Sequence, residues 1–158
     1  MMRVFAFAAA ALAATTALAQ APPANGGLVT HNGSLMAVET LPGGLVQIRY
    51  VDPRPGMRAF VVPGTLLVQG QWFNGTFSGV SHSFWCGRAY PYSVKGGIDP
   101  TGALMLYGPA PIIDPYSCGV LGYEWTGNST LRFEPFAGPR RAPTPVPSVP
   151  PIPNGDPA

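Results

Sequence analysis

Hydrophobic and polar residues alternate along much of the chain with the period of an extended strand. In residues 45–51 the alternation places Val46, Ile48 and Tyr50 on one face and polar side chains on the other. An amphipathic helix would repeat every 3.6 residues, and we find no window with a convincing repeat of that kind. The pattern therefore predicts a half-buried β-strand here and an all-β fold for the chain.

Turn sequences rich in Pro, Gly and Asn separate further extended runs and predict four successive hairpins. Their paired strands are residues 34–41 with 45–51, 65–72 with 76–85, 90–98 with 103–107, and 120–125 with 130–134. About eight short antiparallel strands in this order form a meander, which is typical of a small up-and-down barrel or a β-sandwich. We favour the barrel because consecutive hairpins need no long crossover.

The first residues have the features of a signal peptide. Arg3 precedes an uncharged, largely apolar run over residues 4–15, and Ala17-Leu18-Ala19 is a small-x-small cleavage site. The run is shorter than the ~18 residues of a membrane helix, and no later stretch approaches that length. We therefore predict a signal peptide over residues 1–19, export to the periplasm or the medium, and no membrane span after cleavage.

The rest of the chain divides by composition into three parts. Residues 20–30 are polar and turn-rich without periodicity, so we interpret them as a flexible arm. Residues 31–136 contain most of the aromatic side chains and form the predicted all-β domain. Residues 137–158 are rich in proline and poor in large apolar groups, which predicts a disordered tail. Such a tail favours polyproline II, as a stalk or as a ligand for an aromatic-lined groove in a partner.

The chain has two cysteines, Cys86 and Cys118. An even pair in an exported chain predicts a disulfide between them. Closing a loop of this length contributes about 3 kcal/mol in the chain-entropy account. No Cys-x-x-Cys is present, so a redox thiol is disfavoured.

Composition and charge exclude several classes of function. Charged residues make up 10% of the chain and the formal net charge is +2, against an average charged content of about 25%. This argues against a nucleic-acid partner, because binding to phosphate backbones requires a basic surface. The two histidines, His31 and His82, and the scattered carboxylates have no metal-ligand spacing. We therefore expect no metal and no other cofactor.

Candidate catalytic groups are also sparse. Ser81-His82-Ser83 brings a base and hydroxyls together only in sequence, because neighbours on a strand point to opposite faces, and Gly-x-Ser-x-Gly is absent. We expect a non-enzymatic protein. A hydrolase whose carboxylates converge in the fold is kept as an alternative.

Exposed aromatic and arginine side chains often anchor partners. Trp85, Arg88 and Tyr90 are grouped near predicted strand ends, so we predict a binding site there; in the alternative, these rings belong to the core. The leading functional hypothesis is a binding or interaction module of the cell envelope, recognising an envelope protein, a glycan or a small ligand. A barrel that carries a small ligand is the other binding hypothesis.

Several short motifs resemble those of an uncharacterised group of small exported proteins of Gram-negative bacteria. They are His31-Asn32-Gly33-Ser34-Leu35-Met36, Pro53-Arg54-Pro55-Gly56, Gly64-Thr65-Leu66-Leu67, the segment leading into Cys86, Tyr92-Ser93-Val94-Lys95-Gly96 and Gly108-Pro109-Ala110-Pro111. The resemblance implies a periplasmic or extracellular location in a bacterium. It carries over no functional residue, because the group has no known activity.

Overall fold

The structure, a computed structural model, describes residues 27–138. The predicted signal peptide, residues 20–26 of the predicted arm and residues 139–158 of the predicted tail lie outside the described residues. Within residues 27–138, no helix is both long and apolar enough to cross a membrane.

Ten β-strands make up the fold: β1 (Gly27–His31), β2 (Ser34–Thr40), β3 (Leu45–Asp52), β4 (Leu66–Phe73), β5 (Thr76–Trp85), β6 (Arg88–Ile98), β7 (Leu104–Tyr107), β8 (Ala110–Ile113), β9 (Val120–Glu124) and β10 (Thr130–Pro135). Eight of them close an antiparallel barrel in the order β1-β10-β7-β6-β5-β4-β3-β2, and β8 and β9 form a separate two-stranded sheet. The predicted all-β barrel is confirmed, and the sandwich alternative is not observed.

The boundary predicted between the arm and the domain is wrong by four residues, because residues 27–30 belong to β1. This strand closes the barrel by pairing Leu28 with Ala37 of β2 and Val29 with Pro135 of β10. Its pairing depends on strands distant in sequence, and its glycine-rich start gives no local strand signal.

The fourth predicted hairpin, 120–125 with 130–134, is also wrong. β9 pairs with β8, for example Tyr123 with Pro111, whereas β10 pairs with β7 and β1. The prolines around β8 hide it from sequence patterns, because proline cannot donate a ladder hydrogen bond. The turn before β10 is a 3₁₀ turn, in which the Thr126 side chain accepts from the backbone N–H of Asn128 at 3.2 Å.

The alternation predicted for β3 is confirmed. Val46, Ile48 and Tyr50 are buried, as are large residues from the other barrel strands. The largest fully buried apolar side chains are Phe77, Phe133, Met36, Ile48, Leu106, Val68 and Val94. The barrel interior is therefore a packed apolar core.

Two glycines face each other across β4 and β5 and make room for one of these rings. Gly70 and Gly79 are register partners. A Cβ added to Gly70 would lie 2.6 Å from Cζ of Phe77 and 2.7 Å from Cα of Gly79. The bare backbone thus lets the two strands approach closely while the ring of Phe77 covers them.

Strand direction determines which connections share an end of the barrel. Because successive barrel strands run in opposite directions, the turn at Asn32-Gly33, the loop over residues 53–65 and the turn at Cys86-Gly87 lie at one end. The chain from β7 to β10, which contains the β8–β9 hairpin, leaves and returns at this same end. We call this end the mouth.

Candidate functional site

A disulfide fixes the β8–β9 hairpin at the mouth. Cys86 and Cys118 are bonded, with their Cα atoms 6.1 Å apart, so the predicted bridge is confirmed. It joins the β5–β6 turn to the segment between β8 and β9. A disulfide fits an oxidising compartment outside the cytoplasm.

Two tyrosines of β6 hold the same region from below. The Tyr90 hydroxyl donates to the carbonyl of Cys118 at 2.8 Å, and the Tyr92 hydroxyl donates to the carbonyl of Asn128 at 3.0 Å. Together with the disulfide, these contacts hold the β8–β9 hairpin, Ala110–Glu124, over the mouth. We call this hairpin the roof.

A cavity of about 460 Å³ lies under this roof. Its size is within the range of about 300–1,000 Å³ that is usual for small-molecule sites. β8 contributes an apolar side, and the barrel strands and the residue 53–65 loop contribute aromatic, histidine and arginine side chains. The lining includes His31, Asn32, Ser34, Tyr50, Arg54, His82, Phe84, Trp85, Tyr92, Ile112 and Ile113. The cavity lining contains no carboxylate.

His31 lies at the rim and is held in one neutral tautomer. Its Nδ1 lies 2.9 Å from the carbonyl of Arg132, which can only accept, so Nδ1 carries the proton. Nε2 is then free to accept from the side-chain amide of Asn32 at 3.3 Å. The ring stacks on Phe133 with ring centroids 4.8 Å apart. Burial lowers the pKa of His31; the positive charge of Arg54 lowers it further, and the bond to the Arg132 carbonyl opposes the shift.

The lowered pKa of His31 predicts that stability falls as the solution is acidified. Between the lowered pKa and the ordinary value of 6.5, the unfolded state binds more protons than the folded state. The contribution of His31 to the free energy of unfolding is therefore fully present above pH 6.5 and is lost as the pH falls through the folded-state pKa. Urea unfolding from about pH 7 to about pH 5 measures this slope.

The variant His31→Asn is expected to flatten that slope, since an asparagine amide can still donate to the Arg132 carbonyl but does not titrate. Asp99 and Asp114 do not interfere. Hydrogen bonds within their turns lower their pKa values from 3.8, so they affect stability only at more acidic pH. An unchanged slope in His31→Asn would show that another group carries the pH dependence.

Tyr50 presents a neutral hydroxyl to the cavity. Burial raises its pKa to about 12, and the nearby charge of Arg54 partly opposes this. Within residues 27–138 we find no hydrogen-bond partner for this hydroxyl, so it is available to a bound molecule.

Tyr92 lines the cavity beside a polar group that is closed off from solvent. Burial raises the pKa of Tyr92, and the neighbouring Ser81 hydroxyl opposes the shift. Ser81 is the register partner of Tyr92 and is fully buried. Among the described residues its Oγ has no hydrogen-bond partner of normal geometry, because the Tyr92 hydroxyl points to Asn128 instead.

Arg54 supplies a positive charge without a partner. Its backbone N–H donates to Oγ of Ser34 at 3.0 Å, which ties the residue 53–65 loop to the β1–β2 turn. Its guanidinium makes no salt bridge within the described part of the chain, whereas Arg58 in the same loop pairs with Asp52 at 3.1 Å. Its charge reaches both His31 and Tyr50. Arg54 therefore gives the cavity lining one positive charge that no lining carboxylate balances.

Of the three residues of the predicted binding site, two are exposed at the mouth and one is buried. Trp85 is 44% exposed, stacks on Phe60 with centroids 5.6 Å apart and lines the cavity. Arg88 is the register partner of Trp85 and is also exposed. Tyr90 is only 8% exposed because its ring packs inward while its hydroxyl bonds to Cys118. Trp85 and Arg88 therefore flank the mouth, and Tyr90 supports the roof instead of forming part of an exposed surface.

Sequence reasoning missed His31, Tyr50 and Arg54 as a group. Each gives a local signal only as a turn or strand residue, and the barrel topology brings them together. A lone arginine between Pro53 and Pro55 is the one feature that could have pointed to a fixed charge.

Carboxylates lie elsewhere in the fold. Asp99 and Glu134 each bond to Arg132 at 2.9 Å, and neither lines the cavity. Among residues 27–138, no group of three His, Cys, Asp or Glu side chains is placed to hold a metal ion.

Comparisons with protein families, curated proteins and solved structures give no match for this chain.

Proposed function

We propose that this chain is an exported bacterial protein, periplasmic or secreted, that binds a small amphipathic anion in the mouth of its barrel and carries out no reaction on it. One observation carries the proposal: a ligand-sized cavity is lined by Arg54, whose guanidinium has no salt-bridge partner among the described residues, and by no carboxylate. Small-ligand sites combine apolar walls with a few fixed polar groups, as this cavity does.

The walls suit an apolar or aromatic ligand body. Ile112 and Ile113 line the cavity from β8, and Phe84 and Trp85 line it from the end of β5. The fixed roof and the packed core below limit such a body to the mouth, so the interior of the barrel is not the ligand channel.

The polar groups suit a negative end on that body. Arg54 offers charged donors, and the Tyr50 hydroxyl offers a neutral one beside it. A positively charged ligand is disfavoured because no carboxylate lines the cavity to receive it. A hydrogen bond to a charged group contributes about 1.5–3 kcal/mol.

Two binding classes followed from the sequence, an envelope interaction module and a small-ligand carrier. The half-open cavity favours the carrier, because its apolar walls and its polar groups line one space of small-molecule size. The disulfide supports export, since it would not persist in a reducing cytoplasm.

The probe pair 1-anilinonaphthalene-8-sulfonate and N-phenyl-1-naphthylamine tests this proposal, because the two dyes share a body and differ in the anionic group. We expect both to bind one per chain with increased fluorescence, and the sulfonate to bind more tightly. Arg54→Gln should weaken binding of the sulfonate by about tenfold or more and leave the neutral dye unaffected. Titration by fluorescence and calorimetry measures both affinities.

Arg58→Gln is the matched control, since Arg58 lies in the same loop but is paired with Asp52. It should leave both affinities unchanged. If neither dye binds, the cavity is not a small-molecule site. If both bind and Arg54→Gln affects them equally, the anionic preference is wrong.

A further inference from the structure

β9 and the residue after it expose several large apolar side chains. Leu121, Tyr123 and Trp125 are 71%, 54% and 70% exposed. The three residues lie at every second position along β9 and just beyond its end, and the pairing of β9 with β8 shifts register at Leu121. We call these three residues the hairpin face. None of them lines the cavity, so the proposed ligand site does not account for them.

The hairpin face is held rigidly. β9 pairs only with β8 among the described strands, while the disulfide and the Tyr90 hydroxyl fix the segment between the two strands. Large apolar side chains held exposed to water often mark a docking site.

We propose that the proline-rich segment of this same chain, residues 145–153, docks on the hairpin face as a polyproline II helix. Its sequence, PVPSVPPIP, is uncharged and supplies proline rings and small aliphatic side chains. Polyproline II segments bind surfaces lined by Tyr and Trp, because their conformation is already restricted before binding. The hairpin face offers one of each.

The chain beyond the barrel is long enough for this segment to reach the hairpin. β10 begins at the mouth with Thr130 and ends at the opposite end with Pro135. A strand of that length spans roughly 20 Å at ~3.3 Å per residue. Residues 139–146 would span roughly 25 Å at ~3.1 Å per residue in the proposed polyproline II conformation. If this stretch turned back along the barrel wall, residues 145–153 would begin at the level of the mouth.

Nuclear magnetic resonance of the full chain tests this contact at the residue level. Aromatic rings shift the signals of protons packed against them, so we expect upfield-shifted ring protons for Pro147, Pro150 and Pro151. We also expect nuclear Overhauser contacts from these prolines to Tyr123 and Trp125. The double variant Tyr123→Ser, Trp125→Ser should remove both effects.

Tyr107→Ser is the matched control, because Tyr107 is an exposed tyrosine on the barrel strand β7 and lies outside the hairpin face. It should leave the proline signals unchanged. A variant in the segment itself, Pro147→Ser with Pro150→Ser, tests the contact without altering the barrel and should restore the Trp125 indole signal to its solvent-exposed position.

Random-coil proline signals in the unaltered chain would overturn the proposal. Contacts between differently labelled chains in a mixed sample, lost on dilution, would assign the hairpin face to a second copy and also overturn it. Contacts that persist on dilution within one chain support it. The outcome is independent of dye binding in the cavity, so this proposal and the proposed function can fail separately.

Discussion

Replacing both cysteines, Cys86→Ser with Cys118→Ser, is expected to lower the free energy of unfolding by about 3 kcal/mol. The bridge spans 32 residues of sequence, and its loss frees the unfolded chain to sample more conformations. For a domain of this size, the expected fall in Tm is roughly 10–20 °C. The roof of the cavity also loses its covalent attachment, so both dyes should bind more weakly.

Thermal and urea unfolding of the unaltered protein, with and without reductant, provide the comparison. The reduced protein should match the double serine variant, which separates loss of the bridge from effects of the new side chains. Equal stability of the oxidised protein and the variant would show that the hairpin is held by its noncovalent contacts alone.

Phe77→Ala is expected to destabilise the barrel by about 3–5 kcal/mol. The ring is fully buried, covers the backbone at Gly70 and packs edge-on against Trp72 with centroids 5.7 Å apart. Because Gly70 and Gly79 have no side chains, the neighbouring strands cannot fill the space that the ring leaves. Urea unfolding at neutral pH measures the change.

Phe73→Ala serves as its control. Phe73 is 76% exposed next to the β4–β5 turn, and its truncation should change the free energy of unfolding by about 0.5 kcal/mol or less. Similar losses for both variants would mean that Phe77 does not fill the space assigned to it.

The alternation of side chains predicted which residues of β3 face the core, because a one-residue shift would expose the whole apolar set. It did not predict β1 or β8. These strands are short, carry glycine or proline, and are defined by partners far away in sequence: Val29 pairs with Pro135, and Pro111 pairs with Tyr123. The local pattern of hydrophobic and polar residues contains no information on which distant strands pair to close the barrel.

The candidate site was only partly predictable for the same reason. Trp85 and Arg88 were identified from residue type and position near a turn, and both lie at the mouth. Tyr90 was expected in the same surface, but strand alternation turns it inward, where its hydroxyl reaches Cys118. The grouping of His31 with Arg54 requires knowing that the β1–β2 turn and the loop after β3 share one end of the barrel.

The roof hairpin enters and leaves the barrel at adjacent points. Tyr107, the last residue of β7, and Thr130, the first of β10, are register partners, so their Cα atoms lie about 5 Å apart. The segment between them is an insertion between two paired strands, and it is tied to the barrel by the disulfide and by the buried residues Ala110 and Ser129. The β7–β10 ladder therefore determines where the hairpin enters and leaves the barrel, and β9 takes no part in that ladder. A grafted hairpin that keeps Ala110, Cys118 and Ser129 is expected to change the side chains at the mouth and to leave the eight-stranded barrel intact.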